Sequence, residues 1–100
     1  SRSTVSASAS DKVLKAIDQM AIEEDMSREE IGPLKTAINK LTDCMTREVP
    51  HEQCAQMLQD AGLDIALQEV GYILHDVAGE GELSAYALQV DQIIMDALEY

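Results

Sequence analysis

The sequence predicts an all-α protein, a small bundle of four or five short helices behind a flexible N-terminal tail. Three observations carry this. Apolar residues recur at steps of three and four rather than two. Gly and Pro fall between those periodic stretches, at Gly32-Pro33, Pro50, Gly62 and Gly79-Glu80-Gly81, where helices stop or start. No segment sustains a period-two pattern rich in β-branched residues, so no sheet is expected. With 100 residues, 46% of them apolar, the chain has room for one domain with a modest core.

Residues 1–10 are half serine. Such a stretch buries too little apolar area to offset backbone entropy, so it reads as a tail, with residues 11–100 as a single helical domain. The chain starts without Met, which leaves room for a removed targeting segment, and its first residues lack the apolar core of a secretory signal.

In the first helix Val13, Leu14, Ile17, Met20 and Ala21 share one face, with Ser10 or Asp11 as cap and an end near Glu23, Glu24 and Asp25. Ser27 followed by Glu30 has the form of a capping box. Pro33 then either lies in the first turn of the second helix or kinks a helix begun at Arg28. The first is favoured, because an interior proline loses a hydrogen bond and crowds the turn behind it. The second helix carries Leu34, Ile38, Leu41 and Met45 in one stripe and ends at Val49-Pro50. In the third, Cys54, Met57, Leu58 and Ala61 line one side, and Gly62 suits a left-handed cap. Asp64 can cap the fourth helix, whose stripe is Ala66, Leu67, Val70, Ile73, Leu74 and Val77.

The fifth helix runs from about Ser84 to the end of the chain. Leu83, Ala87, Val90, Ile94 and Leu98 form one face, widened by Tyr86 and Ile93. Leu88 and Met95 stand outside that arc, seven residues apart and stacked on one another, with Asp91, Gln92 and Glu99 around them. They read either as scattered exposed apolar side chains or a second buried side, or as a strip for a dimer or partner contact.

Charge excludes whole classes of function. The chain holds 19 acids and 7 Lys or Arg, a formal net charge of −12. Such a field repels phosphate backbones, so direct nucleic-acid binding is not expected, and anionic membrane surfaces are disfavoured likewise. No apolar run is long enough to cross a bilayer. The charge is uneven: residues 51–100 contain ten acids and no Lys or Arg. A solvated acidic face is the plain reading of such a run. The complete lack of cations over half a domain points further, to a basic partner that relieves the repulsion and is steered by it.

Motifs for chemistry are weak. Asp76, Glu80, Gly81, Leu83 and Ser84 match positions 1, 5, 6, 8 and 9 of an EF-hand loop, but Ala78 and Ala87 stand where oxygen ligands are required, so an ordinary Gly-rich connector is the better reading. Cys44, His51, Cys54 and His75 could in principle bind zinc, yet they lie on three segments without a Cys-x-x-Cys pair, and the cysteines read as small core residues. Nothing flanks either cysteine like a nucleophile site, and there is no phosphate-binding Gly-rich loop. A helix-turn-helix centred on Gly62 fails because Gln68 stands where an apolar residue belongs and Asp64, Glu69 and Asp76 would face DNA. The segment reads instead as a plain helical hairpin.

The expectation from sequence is therefore a non-enzymatic, cytoplasmic interaction or regulatory module without cofactor or metal, docking on a basic protein, with a homodimer as a further expectation. Asp60, Asp64, Glu69, Asp76, Glu80, Glu82, Asp91 and Asp96 would steer, and Leu88, Met95 and Tyr86 would anchor. The alternatives are a nucleic-acid mimic that occupies the groove of a DNA- or RNA-binding protein, and a metal-dependent sensor built on the degenerate loop.

Overall fold

Each apolar stripe becomes a helix. The computed structural model describes residues 7–77 and 82–98, which form α1 (Ala7–Glu23), α2 (Arg28–Thr46), α3 (His51–Asp60), α4 (Asp64–Val77) and α5 (Glu82–Leu98), with no strand among them. The all-α class is what the periodicity requires. The molecule measures 36 × 30 × 19 Å, and its short axis is about two helix diameters. In so thin a bundle every helix keeps an outer face.

On α1 the buried row is Ala9, Val13, Ile17 and Ala21 in steps of four. Ala9 continues the row back by one turn and Ser10 is buried beside it, so the helix starts at Ala7, ahead of the Ser10 or Asp11 cap expected. Packing of Ala9 and Ser10 against the bundle stabilises this first turn, and the two alanines suit it. The first six residues of the expected tail lie outside the described residues.

Three helix ends share one device. After α1, α2 and α3 a residue takes the left-handed conformation: Asp25 (φ 52°), Glu48 (φ 55°) and Gly62 (φ 72°). The next amide in each case reaches back to the last turn, Met26 N–H to Ala21 O at 3.0 Å, Val49 N–H to Cys44 O at 2.9 Å and Leu63 N–H to Leu58 O at 2.9 Å. These are Schellman closures, which satisfy terminal carbonyls. Only Gly62 adopts that φ without a Cβ clash, and it was the one such end legible beforehand.

Pro33 corrects the expectation for α2. The helix begins at Arg28 with Ser27 as N-cap, whose hydroxyl accepts from Glu30 N–H at 3.4 Å, and Pro33 lies inside it. Gly32 makes this tolerable, because a proline Cδ crowds the Cβ of the residue before it and glycine has none. The missing N–H still leaves the Glu29 carbonyl without its helical donor. Pro33→Ala is expected to raise the unfolding free energy by about 1–2 kcal/mol, an interior-proline penalty reduced by the greater entropy of the unfolded chain. A higher urea midpoint at unchanged m-value is the result to look for, and an unchanged midpoint would show that the proline is unstrained.

The core stripe of α2 is as read, with Leu34, Ile38, Leu41 and Met45 all buried. On α3 the buried set is Cys54, Ala55 and Leu58, whereas Met57 and Ala61 face solvent. The reason is that α3 packs chiefly on α5 and only slightly on α4, so it does not form the hairpin expected across Gly62. Gln59 fixes this contact by donating from Nε2 to the Ala97 carbonyl of α5. On α4 the stripe from Ala66 to Leu74 is buried and Val77, at its end, is 38% exposed.

Two features tie α5 to the rest. Gly71 of α4 lies so near α5 that a Cβ there would be 2.6 Å from Ile94 Cδ1. Tyr86 is fully buried, and its hydroxyl lies 2.9 Å from Thr42 Oγ1 and donates to the Ile38 carbonyl at 3.3 Å, both on α2. No buried side-chain nitrogen or oxygen among the described residues lacks a hydrogen-bond partner.

Candidate interaction surfaces

Leu88 and Met95 lie where the helical wheel of α5 places them, 65% and 56% exposed. Tyr86 does not. It was expected to anchor a partner beside them, but its helical angle falls in the core arc and its hydroxyl is consumed by α2, so it serves the fold. Burial pushes its pKa up to about 12, partly offset by the Thr42 hydrogen bond.

The outer ridge of α4 adds two side chains that the sequence reading passed over, Ile65 (70% exposed) and Tyr72 (72% exposed). They are also seven residues apart and outside the buried stripe, so the wheel test applied to α5 would have found them. Where α4 meets α5, a shallow cleft of about 170 Å³ is lined by Gln68, Gly71, Tyr72, His75, Asp91 and Ile94. Asp91 Oδ1 and His75 Nε2 are 3.3 Å apart across it.

The expected steering acids do not converge on that face. Asp60 accepts from Gln56 Nε2 on α3, and Asp64 occupies the first turn of α4. Asp96 projects from α5 on the side away from Asp91. Glu80 lies outside the described residues, and Glu82 opens α5 without a described side chain. Glu69 and Asp76 sit instead on the flank of α4 that faces the α1–α2 junction.

That flank is where the acids gather. A cleft of about 440 Å³ is lined by Met26, Glu29, Glu30, Pro33, Leu34, Gly62, Ile65, Ala66 and Glu69. A second, of about 370 Å³, is lined by Ala16, Gln19, Met20, Glu23, Glu24, Ile73, Asp76 and Val77. Ile65, Glu69, Ile73 and Asp76 follow one another along the same side of α4, so the two clefts form consecutive stretches of one trough. Six carboxylates rim it, and no described lining residue is Lys, Arg or His. Four of the six come from the first half of the chain. The sequence reading had confined the one-signed surface to the second half, and the fold redistributes it by packing the α1–α2 junction against α4.

The residues considered for metal chemistry form no ligand set among the described residues. Cys44 and Cys54 are buried thiols that form no disulfide, and the Cys54 thiol donates to the Val49 carbonyl at 3.6 Å. His75 is exposed beside Asp91. No group of three or more His, Cys, Asp or Glu among the described residues could hold a metal ion. In the EF-hand comparison, residues 78–81 lie outside the described residues, while Leu83, Ser84 and Ala87 belong to α5. No described helix is long and apolar enough to cross a membrane.

These surfaces define a small helical protein with acidic clefts along one flank of α4 and exposed apolar side chains on the outer sides of α4 and α5. No protein-family model, no curated protein and no solved structure matches the chain.

Proposed function

We propose that the protein is a non-enzymatic interaction module whose trough along α4 receives a basic, amphipathic segment of a partner protein. The observation that carries this reading is the combination of an apolar floor with an acidic rim. Met20, Met26, Ala66 and Ile73 offer apolar contact, while Glu23, Glu24, Glu29, Glu30, Glu69 and Asp76 surround them. A helix with Lys or Arg flanking an apolar stripe would satisfy both at once. An apolar floor also favours such a peptide over the nucleic-acid-mimic reading, in which rows of carboxylate would be sufficient. The steering role passes from the second-half acids as a group to Glu69 and Asp76 together with the acids of α1 and α2.

A synthetic amphipathic helix with Lys on its polar face and Leu on the other is a direct probe. Titration calorimetry should show binding at low salt that weakens as salt is added, since exposed charges are screened beyond a Debye length of about 10 Å at 0.1 M. Absence of heat at low salt, or binding indifferent to salt, would remove the charge argument.

A further inference from the structure

The two clefts of the trough repeat one another. Each has a pair of adjacent acids from the α1–α2 junction and a single acid from α4: Glu29, Glu30 and Glu69 line the first, and Glu23, Glu24 and Asp76 the second. Each also holds one methionine packed partly into the core, Met26 in the first and Met20 in the second. We infer that the partner segment is a helix with Lys or Arg at two positions seven residues apart, one for each cleft, and apolar residues between them. The inference rests on the interaction reading above and adds to it a register and a conformation.

Spacing selects the conformation. Glu69 and Asp76 are one heptad apart on α4, so they stand about 10.5 Å apart along the helix and differ in direction by only about 20°. A partner helix lying along α4 presents its own positions i and i+7 at the same rise and on one face. Its positions i+3 and i+4 share that face and come down on the apolar floor. An extended segment advances about 3.3 Å per residue, covers the distance in about three residues and turns the third to the opposite side. Its side chains therefore fall out of step with the two clefts.

The cation is a long side chain for two reasons. No group of three or more His, Cys, Asp or Glu among the described residues could hold a metal ion, so the acids are not gathered for chelation. Neither cleft is lined by a described Lys, Arg or His, so the opposite charge comes from the partner. Lys and Arg fit a floor of methionine beneath exposed carboxylates, because they lay their methylenes on apolar surface and keep the charged head in water.

Two peptides of identical composition test the register, both held helical by a hydrocarbon staple on the face away from the cations. One has Lys at i and i+7 with Leu at i+3 and i+4. In the other the second Lys is moved to i+9, about 180° round the helix. Titration calorimetry of the full chain at low salt should show the first binding about tenfold more tightly. Proline at i+2 and i+5 of the first sequence, which blocks the helix, should cost the same factor. Glu69→Lys and Asp76→Lys, each at an exposed site on one cleft, should each remove the preference, whereas Asp60→Lys on α3 should keep it. A circular-dichroism melt checks that every variant is folded. Equal affinity for the two helical peptides, or a proline-blocked peptide as tight as the helical one, overturns the inference and leaves the interaction reading in place. So does spermine bound as tightly as the first peptide, since a diffuse polycation would then suffice. A preference that survives both Glu69→Lys and Asp76→Lys overturns it by moving the docking site off the trough. No heat from either helical peptide at low salt removes both readings.

Discussion

Replacement of Tyr86 by alanine is expected to lower the unfolding free energy by about 3–5 kcal/mol, the usual cost of emptying a fully buried aromatic site. That is a large fraction of the ~5–15 kcal/mol that stabilises a domain of ordinary size. The ring is fully buried and its hydroxyl bridges Thr42 and the Ile38 carbonyl, so it joins α5 to α2 by packing and by hydrogen bonds together. Tyr86→Phe separates the two parts. It keeps the packing and should cost only about 1 kcal/mol, the net worth of a typical intramolecular hydrogen bond.

The same residue sets an alkaline limit. Its pKa lies at about 12 in the folded chain against 10.0 unperturbed, so the folded state holds the proton more tightly than the unfolded state. The resulting stability is fully present below pH 10 and is lost as pH rises through 12, a fall of roughly 2–3 kcal/mol by linkage. Denaturant midpoints measured across that window should fall more steeply for the native sequence than for Tyr86→Phe. Parallel curves would show that the phenol is not held neutral by the fold.

Charge reversal in the trough is the second large effect. Glu30→Lys, Glu69→Lys and Asp76→Lys together should weaken the basic peptide by about 100-fold, taking roughly 1 kcal/mol for each exposed charge removed from the rim. All three side chains are exposed, and partial relief of the net charge of −12 is set against the loss of a favourable first-turn acid of α2 at Glu30, so a thermal melt checks that the variant stays folded. Binding that survives the triple variant would move the docking site elsewhere. Reversal of Asp60 and Asp96, which lie off the trough, should have little effect and serves as the internal comparison.

The difference between these two groups of acids shows where sequence reading stops. Local periodicity identified every helix and placed Leu88 and Met95 on the surface, because a turn of 100° per residue is a property of the helix alone. It also put Tyr86 in the buried arc of α5, and the error was to assign it a surface role despite that position. Pro33 was misplaced for a local reason too, since Gly32 relieves the clash that ordinarily stops a helix before proline. The start of α1 was missed for a tertiary one: Ala9 is helical because the bundle gives it a surface to pack against.

The sequence by itself determined a bundle of four or five helices with acidic surfaces, few cations and two apolar side chains off the core of its last helix. What only the tertiary structure decided is which of those features share a surface. Glu30 shares a cleft with Glu69 because α2 packs against α4, and Glu23 shares one with Asp76 because α1 does, while Tyr72 and Asp91 come together where α4 packs on α5. Helical period is encoded within a few turns of chain, whereas the partner of each helix depends on how all five stripes fill one core. No local pattern carries that choice.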